Sequence, residues 1–296
     1  MGFILGRILP KVVPAYLGQF LFWIGVPISI VAFLRQADLS GPIWIAPVVA
    51  WVAILLGAGL AWAWINWQAY LTNTVPKPYW RQPAQGSFIL AAMVGNTGYL
   101  GYPVTLAFAG TQYFSWAVFY DLLGSTLGSY GLGVALAARF GTGVQSYRQL
   151  AQAILINPTL WSFGFGLGFR QILLPPQAEQ SLRGLAWTIV ALSLMLIGMR
   201  LSQLNSWHSL PRASISLGIK MLLVPLILGS SLPLFGLTGL PQLVIVLQMA
   251  MPPAFATLVI AEAYNLDRDL TVTALAVGSA GLLFTLPVWL LLFGRI

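Results

Sequence analysis

Six stretches of this chain carry no charged residue: Val12 to Leu34, Leu39 to Pro76, Gln82 to Tyr120, Gln149 to Phe169, Met221 to Ala261 and Leu270 to Gly294. A helix that crosses a bilayer needs roughly 20 predominantly apolar residues, so the longer stretches must each hold two spans. The alternative spanning design, a β-barrel, would show segments of about 10 residues alternating apolar and polar side chains. That alternation is absent, and the pattern predicts an all-α integral membrane protein. With 58% hydrophobic and 7% charged residues, the chain could not cover a soluble domain with polar surface.

Polar residues and Pro/Gly punctuation place nine helices near 12–34, 42–65, 86–110, 113–138, 157–174, 183–200, 213–235, 241–264 and 270–293. Alternating loops then put Arg7, Lys11, Lys77, Arg81, Arg139, Arg148, Arg200, Arg212 and Arg268 on one side, and Arg35, Arg170, Arg183 and Arg295 on the other. The side richer in Lys and Arg is expected to be cytoplasmic, which puts the N-terminus inside and the C-terminus outside. Trp44, Trp67, Trp80, Trp116 and Trp207 fall at predicted helix ends, where an amphipathic ring suits the headgroup layer. The basic residues form no run, so the net charge of +8 reflects topology and no nucleic-acid partner is expected. The first apolar segment has no small-residue cleavage site behind it and reads as a retained helix.

Trp23, Ser29 and Arg35 resemble Trp187, Ser193 and Arg200, and in each half a proline-interrupted helix follows two helices later. This is the pattern of an inverted repeat. It divides the chain into a first repeat (1–138), a short cytoplasmic linker (139–156) and a five-helix second repeat (157–296). The first repeat supplies four helices, and Gly2 to Leu9 looks like the tail of a missing fifth. An in-frame apolar stretch upstream of the start codon would support truncation, and its absence a natural nine-helix form.

Two segments cannot be continuous helices. The third contains Gly95-Asn96-Thr97-Gly98-Tyr99-Leu100-Gly101-Tyr102-Pro103, and the eighth contains Gln248-Met249-Ala250-Met251-Pro252-Pro253. Proline removes a backbone donor and clashes with the preceding turn, and glycine lowers the cost of unwinding. In lipid the freed groups must be satisfied by protein, water or a bound solute, so a broken membrane helix tends to line a cavity. Two half-helix N-termini converging near the midplane would suit a carboxylate, and Asn96 adds a neutral amide donor. The alternative is that the glycines serve close helix packing and the prolines merely kink the span. Corresponding placement in the two halves favours a site made of Asn96, Thr97, Gly98, Gly101, Pro103, Gln248, Pro252 and Pro253.

These residues resemble the auxin efflux carrier family, which includes plant PIN-type auxin carriers and bacterial organic-anion permeases. Asn96-Thr97-x-x-x-Gly101-x-Pro103 is similar to that family's fourth-helix crossover. Gln248-x-x-x-Pro252, followed by Ala261-Glu262-x-Tyr264-Asn265-Leu266, is similar to its ninth helix and exit, and Thr285-Leu286-Pro287 fits its last helix. The resemblance implies a secondary transporter of the plasma (cell inner) membrane, moving a small organic anion by an elevator-like step. It implies two inverted five-helix repeats with two crossing broken helices, and Asn96 as carboxylate ligand. It also implies a homodimer, formed through the part to which the absent first helix belongs. The chain lacks the long hydrophilic central loop of the plant members.

Asp121 lies about eight residues into its helix and Lys220 at a similar depth from the other side; intramembrane charge is costly, which makes both candidates for coupling. Asp121 could instead make a structural hydrogen bond, and the long stem of Lys220 could snorkel. Glu262, Asp267 and Asp269 read as a solvated, helix-capping turn, Gly164-x-Gly166-x-Gly168 as helix packing, and His208 as an exposed loop residue. No cysteine and one histidine leave little for metal binding, and no cofactor is expected. Gly-x-Ser-x-Gly, His-Glu-x-x-His and paired intramembrane aspartates are all absent, which argues against an enzyme. A receptor or channel on the same fold stays open, because a broken-helix cavity can bind without cycling.

Overall fold

A computed structural model of the chain describes residues 2–10, 12–71, 80–142, 155–156, 158–202 and 209–294. The centre of the expected linker, and Lys11, Lys77, Arg148, Trp207, His208 and Arg295, lie outside them.

The described residues are helical apart from their connections. In order they form α1 (Gly2–Ile8), α2 (Val13–Leu34), α3 (Ile45–Leu71), α4 (Gln82–Met93), α5 (97–108), α6 (114–140), α7 (Pro158–Phe169), α8 (Pro176–Leu201), α9 (Leu210–Phe235), α10 (Gly239–Met249), α11 (Phe255–Ala263) and α12 (Arg268–Phe293). Four of these (α2, α3, α9 and α12) are long and apolar enough to cross a membrane unaided. The pairs α4/α5 and α10/α11 are the two interrupted segments. The chain is a helical integral membrane protein.

Two boundaries differ most from the sequence expectation, each for a local reason. The third helix in the chain, α3, continues to Leu71 because Asn66 donates to the Trp62 carbonyl (3.0 Å) and Gln68 accepts from the Trp80 indole (2.7 Å), so polar residues that read as loop are absorbed. Helix α8 starts at Pro176, well before 183: proline in the first turn has a φ suited to a helix, and Glu179 complements the positive N-terminal end. The N-terminal Gly2–Ile8 is helical and packs along α8, with Gly2 against Met195 and Gly6 against Met199. Of the three glycines on α7, Gly166 admits close packing against Leu34 and Val31, whereas Gly164 and Gly168 face open space.

The interrupted helices occupy the centre. Residues 86–93 of α4 and 242–249 of α10 are buried on every side, as expected for helices apolar all round. The remaining helices wrap them and turn large apolar side chains such as Trp62, Phe165 and Phe284 outward.

Polar contacts sort the loops into two groups. At one end Arg35 pairs with Glu179 (2.9 Å), donates to the Phe169 and Ile172 carbonyls and lies over the Phe169 ring, while Arg170 donates to the Ala37 carbonyl. At the other end Arg212 pairs with Asp267 (3.6 Å), Arg268 with Glu262 (2.8 Å), and Asn265 bonds Thr142. Asp267 also caps α12 through the Leu270 N–H. Within the described residues this grouping matches the alternation inferred from the basic residues.

Candidate functional site

Both breaks open where backbone helicity is hardest to keep. After Met93 the chain extends at Val94 (φ −107°, ψ 118°) and restarts at Thr97, with Asn96 as N-cap. After Met249 it unwinds through Ala250 to Ala254 (φ −74°, ψ 148°), a run whose two prolines have no N–H to offer. The unwound stretches then satisfy each other. The Asn96 N–H donates to the Pro252 carbonyl (2.7 Å) and the Ala254 N–H to the Val94 carbonyl (3.1 Å), forming an antiparallel bridge between Gly95 and Pro253. Two freed donors and two freed acceptors are thereby paired within the protein, as a broken membrane helix requires.

A cavity of about 110 Å³ lies against this crossing. Its walls include Gly95 to Tyr99 at the start of α5, Ala254 to Ala256 at the start of α11, and Asp121, Ser125 and Ser129 from α6. Phe22 and Val26 of α2 and Thr159 of α7 close the opposite side. The first-turn N–H groups of a helix have no intrahelical acceptor and carry partial positive charge, and here two such ends border one small space. The Asn96 side-chain oxygen accepts from the Tyr99 N–H (3.2 Å), so its amide nitrogen is the donor left for a ligand.

Among the sequence candidates, Asn96, Thr97, Gly98 and Asp121 line the cavity. Gly101, Pro103, Gln248, Pro252 and Pro253 build the crossing around it. Gln248 is fully buried, donates to the Thr105 hydroxyl (3.0 Å) and fills the space that a side chain at Gly101 would need; its Oε1 has no hydrogen-bond partner. Pro103 sits buried in the first turn after the π-helical stretch Thr97–Gly101.

Asp121, 8% exposed, accepts from the Thr97 hydroxyl through one oxygen and from the Tyr102 hydroxyl (2.7 Å) through the other. Both donors belong to α5, so the carboxylate ties α6 to the restarted half-helix. Lys220, 3% exposed, does not snorkel. Its ammonium donates to the Met249 carbonyl (2.7 Å) at the C-terminal end of α10, where a cation complements the helix dipole, and its stem lies beside Gly95. Gly95 thus borders both the cavity and the Lys220 side chain, which is not itself part of the cavity lining. Neither buried charge has an ion-pair partner among the described residues.

Sequence reasoning missed Ser125 and Ser129. They stand four and eight residues beyond Asp121, on the same helical face, a spacing that marks them once Asp121 is taken as facing inward. The contribution of Ala254 and Phe255 was hidden because neither carries a polar side chain that would mark it as a candidate.

Residues 142–290 match the family model described as membrane transport protein. The chain belongs to that family, the auxin efflux carrier family. It is 29% identical over 269 residues to an uncharacterised transporter of Methanothermobacter thermautotrophicus, a match covering 90% of this chain and 84% of the relative. A second uncharacterised transporter, from Methanocaldococcus jannaschii, is 29% identical over 212 residues, 69% of this chain and 67% of that one. Family membership and both relatives identify a membrane transporter and not an enzyme.

Proposed function

We propose that this transporter is a secondary carrier for a small organic anion whose carboxylate is held at the crossing. The observation that carries the reading is the cavity bordered by the N-terminal ends of both α5 and α11, with Asn96, the N-cap of α5, in its wall. Such donors attract an anion without a buried cation in direct contact, which suits a ligand that must also leave. Thr97 and Gly98 contribute the first turn of α5. Gly101, Pro103, Gln248, Pro252 and Pro253 keep the two half-helices crossed.

Asp121 shares the cavity and repels a carboxylate unless a proton or another cation accompanies it, so coupling runs through this residue. Lys220, beside Gly95, supplies a positive field close to the crossing. The two halves, 1–138 and 157–296, are inverted repeats joined by 139–156, and they alternate access around the crossing. The end bearing Arg139, Arg212 and Arg268 faces the cytoplasm.

Flux of labelled carboxylates into proteoliposomes, under an imposed pH gradient, tests this reading. Saturable flux is expected, and Asn96→Ala lowers it at least several-fold while the protein still inserts and folds. Unchanged flux in that variant removes Asn96 from the site, and binding without flux would make the protein a receptor.

A further inference from the structure

Two of the π-helical turns carry a charged residue: Tyr120–Thr126 in α6 holds Asp121, and Gly218–Leu223 in α9 holds Lys220. A π-helical turn takes one more residue than an α-helical turn, disturbs the regular ladder and is marginal unless its backbone groups find other partners. In both of these turns a tryptophan from a neighbouring helix supplies one. The Trp51 indole of α3 donates to the Leu123 carbonyl (3.0 Å), and the Trp289 indole of α12 donates to the Met221 carbonyl (3.1 Å).

A buried indole N–H usually finds an acceptor, although that of Trp64 on the same helix as Trp51 has none among the described residues, so either bond alone would be ordinary packing. Here both acceptors lie within two residues of the two unpaired buried charges that flank the crossing. Relaxing one π turn into α-helix would rotate the remainder of that helix by roughly 100°, since an α-helix has 3.6 residues per turn, and would shift the charge relative to Thr97 and Tyr102, or to Met249.

We infer that Trp51 and Trp289 are positioning residues for transport: each bolts a π-helical turn so that Asp121 is held in the cavity and Lys220 beside Gly95, on the Met249 carbonyl. Neither tryptophan touches the cavity, so each acts through the charge it places. The inference rests on the carrier reading above for its transport consequence, but the bolt itself is a property of the backbone.

The experiment pairs Trp51→Phe with Asp121→Asn, and Trp289→Phe with Lys220→Met, in the full chain reconstituted in lipid. Phenylalanine keeps an aromatic ring and deletes the N–H. Each tryptophan variant should raise KM for a transported carboxylate about fivefold, the size of one lost hydrogen bond. On the background of its partner charge variant the same change should add less than twofold, because the charge it positions is already gone. Backbone hydrogen exchange at 120–126 and at 218–223 should accelerate in the respective variant. Trp62→Phe, an outward-facing indole on the same helix as Trp51, should leave both readouts unchanged.

Effects of tryptophan and charge that multiply independently would overturn the positioning role, as would unchanged exchange in the π turns. If the wild-type protein moves no carboxylate, the carrier reading fails, and the exchange measurement alone decides for or against the bolt.

Discussion

Replacing Asp121 perturbs three groups at once, and the structure sets the order of the outcomes. Its two oxygens each accept one buried hydroxyl, from Thr97 and from Tyr102. Asp121→Ala leaves the Tyr102 hydroxyl without an acceptor and Thr97 with only a long bond to the Gly95 carbonyl (3.5 Å), at about 1–3 kcal/mol for each donor, so up to roughly 6 kcal/mol is lost. Asp121→Asn keeps one oxygen as acceptor and turns an NH₂ toward the other hydroxyl, so about half that loss is expected. Tyr102→Phe in the wild-type background deletes one donor and costs about 1 kcal/mol. Combined with Asp121→Ala, however, it removes an orphaned donor, so the double variant should be more stable than the sum of the single effects predicts. Thermal unfolding of the purified protein in detergent gives the order: wild type, Asp121→Asn, then Asp121→Ala, with the double variant above additivity. Strict additivity, or an Asp121→Ala protein as stable as wild type, would refute the claim that this carboxylate links α6 to α5 through those hydroxyls.

Other perturbations probe the surrounding frame. Gly101→Ala drives a methyl group into Gln248, whose Cδ and Nε2 stand 2.8 Å from the new atom's ideal position; overpacking of about 1–3 kcal/mol should appear as a lower unfolding temperature and reduced flux. Lys220→Met removes a buried, unpaired charge of similar length, so thermal stability should hold or rise while carboxylate flux falls; a large drop in stability would mean the bond to Met249 outweighs the desolvation of the ammonium. Arg35→Lys keeps the charge but cannot hold Glu179, the Phe169 carbonyl and the Ile172 carbonyl together; faster proteolysis of the 170–175 connection should report the loosening.

The chain's apolar stretches announced the spanning segments, because lipid leaves a helix no other way to satisfy its backbone, and Gly95 to Pro103 and Met251 to Pro253 announced the breaks. The mutual pairing of those breaks was not legible, since no side-chain pattern encodes which extended strand will meet which. Lys220 was ambiguous for a related reason: its long stem permits snorkelling, and only the position of the Met249 carbonyl makes an inward course favourable. The early start of α8 at Pro176 was masked by a polar, proline-led sequence that serves equally as a loop or as a first helical turn. Asn96 was recognisable as a polar residue at a break, but its division of labour, oxygen to its own helix and nitrogen to the cavity, needed the local dihedral angles.

The Gly95 and Pro253 bridge makes the two interrupted segments a single mechanical part. A push delivered to α4 or α5 passes through two main-chain hydrogen bonds into α10 and α11, so the start of one half-helix cannot retreat from the other without first breaking that clasp. The distance between the two donor ends that border the cavity is thus set by covalent chain and main-chain bonding, not by flexible side chains. On the carrier reading proposed above, the two donor ends would keep their spacing throughout the cycle, so a ligand would meet the same main-chain donors on entering and on leaving.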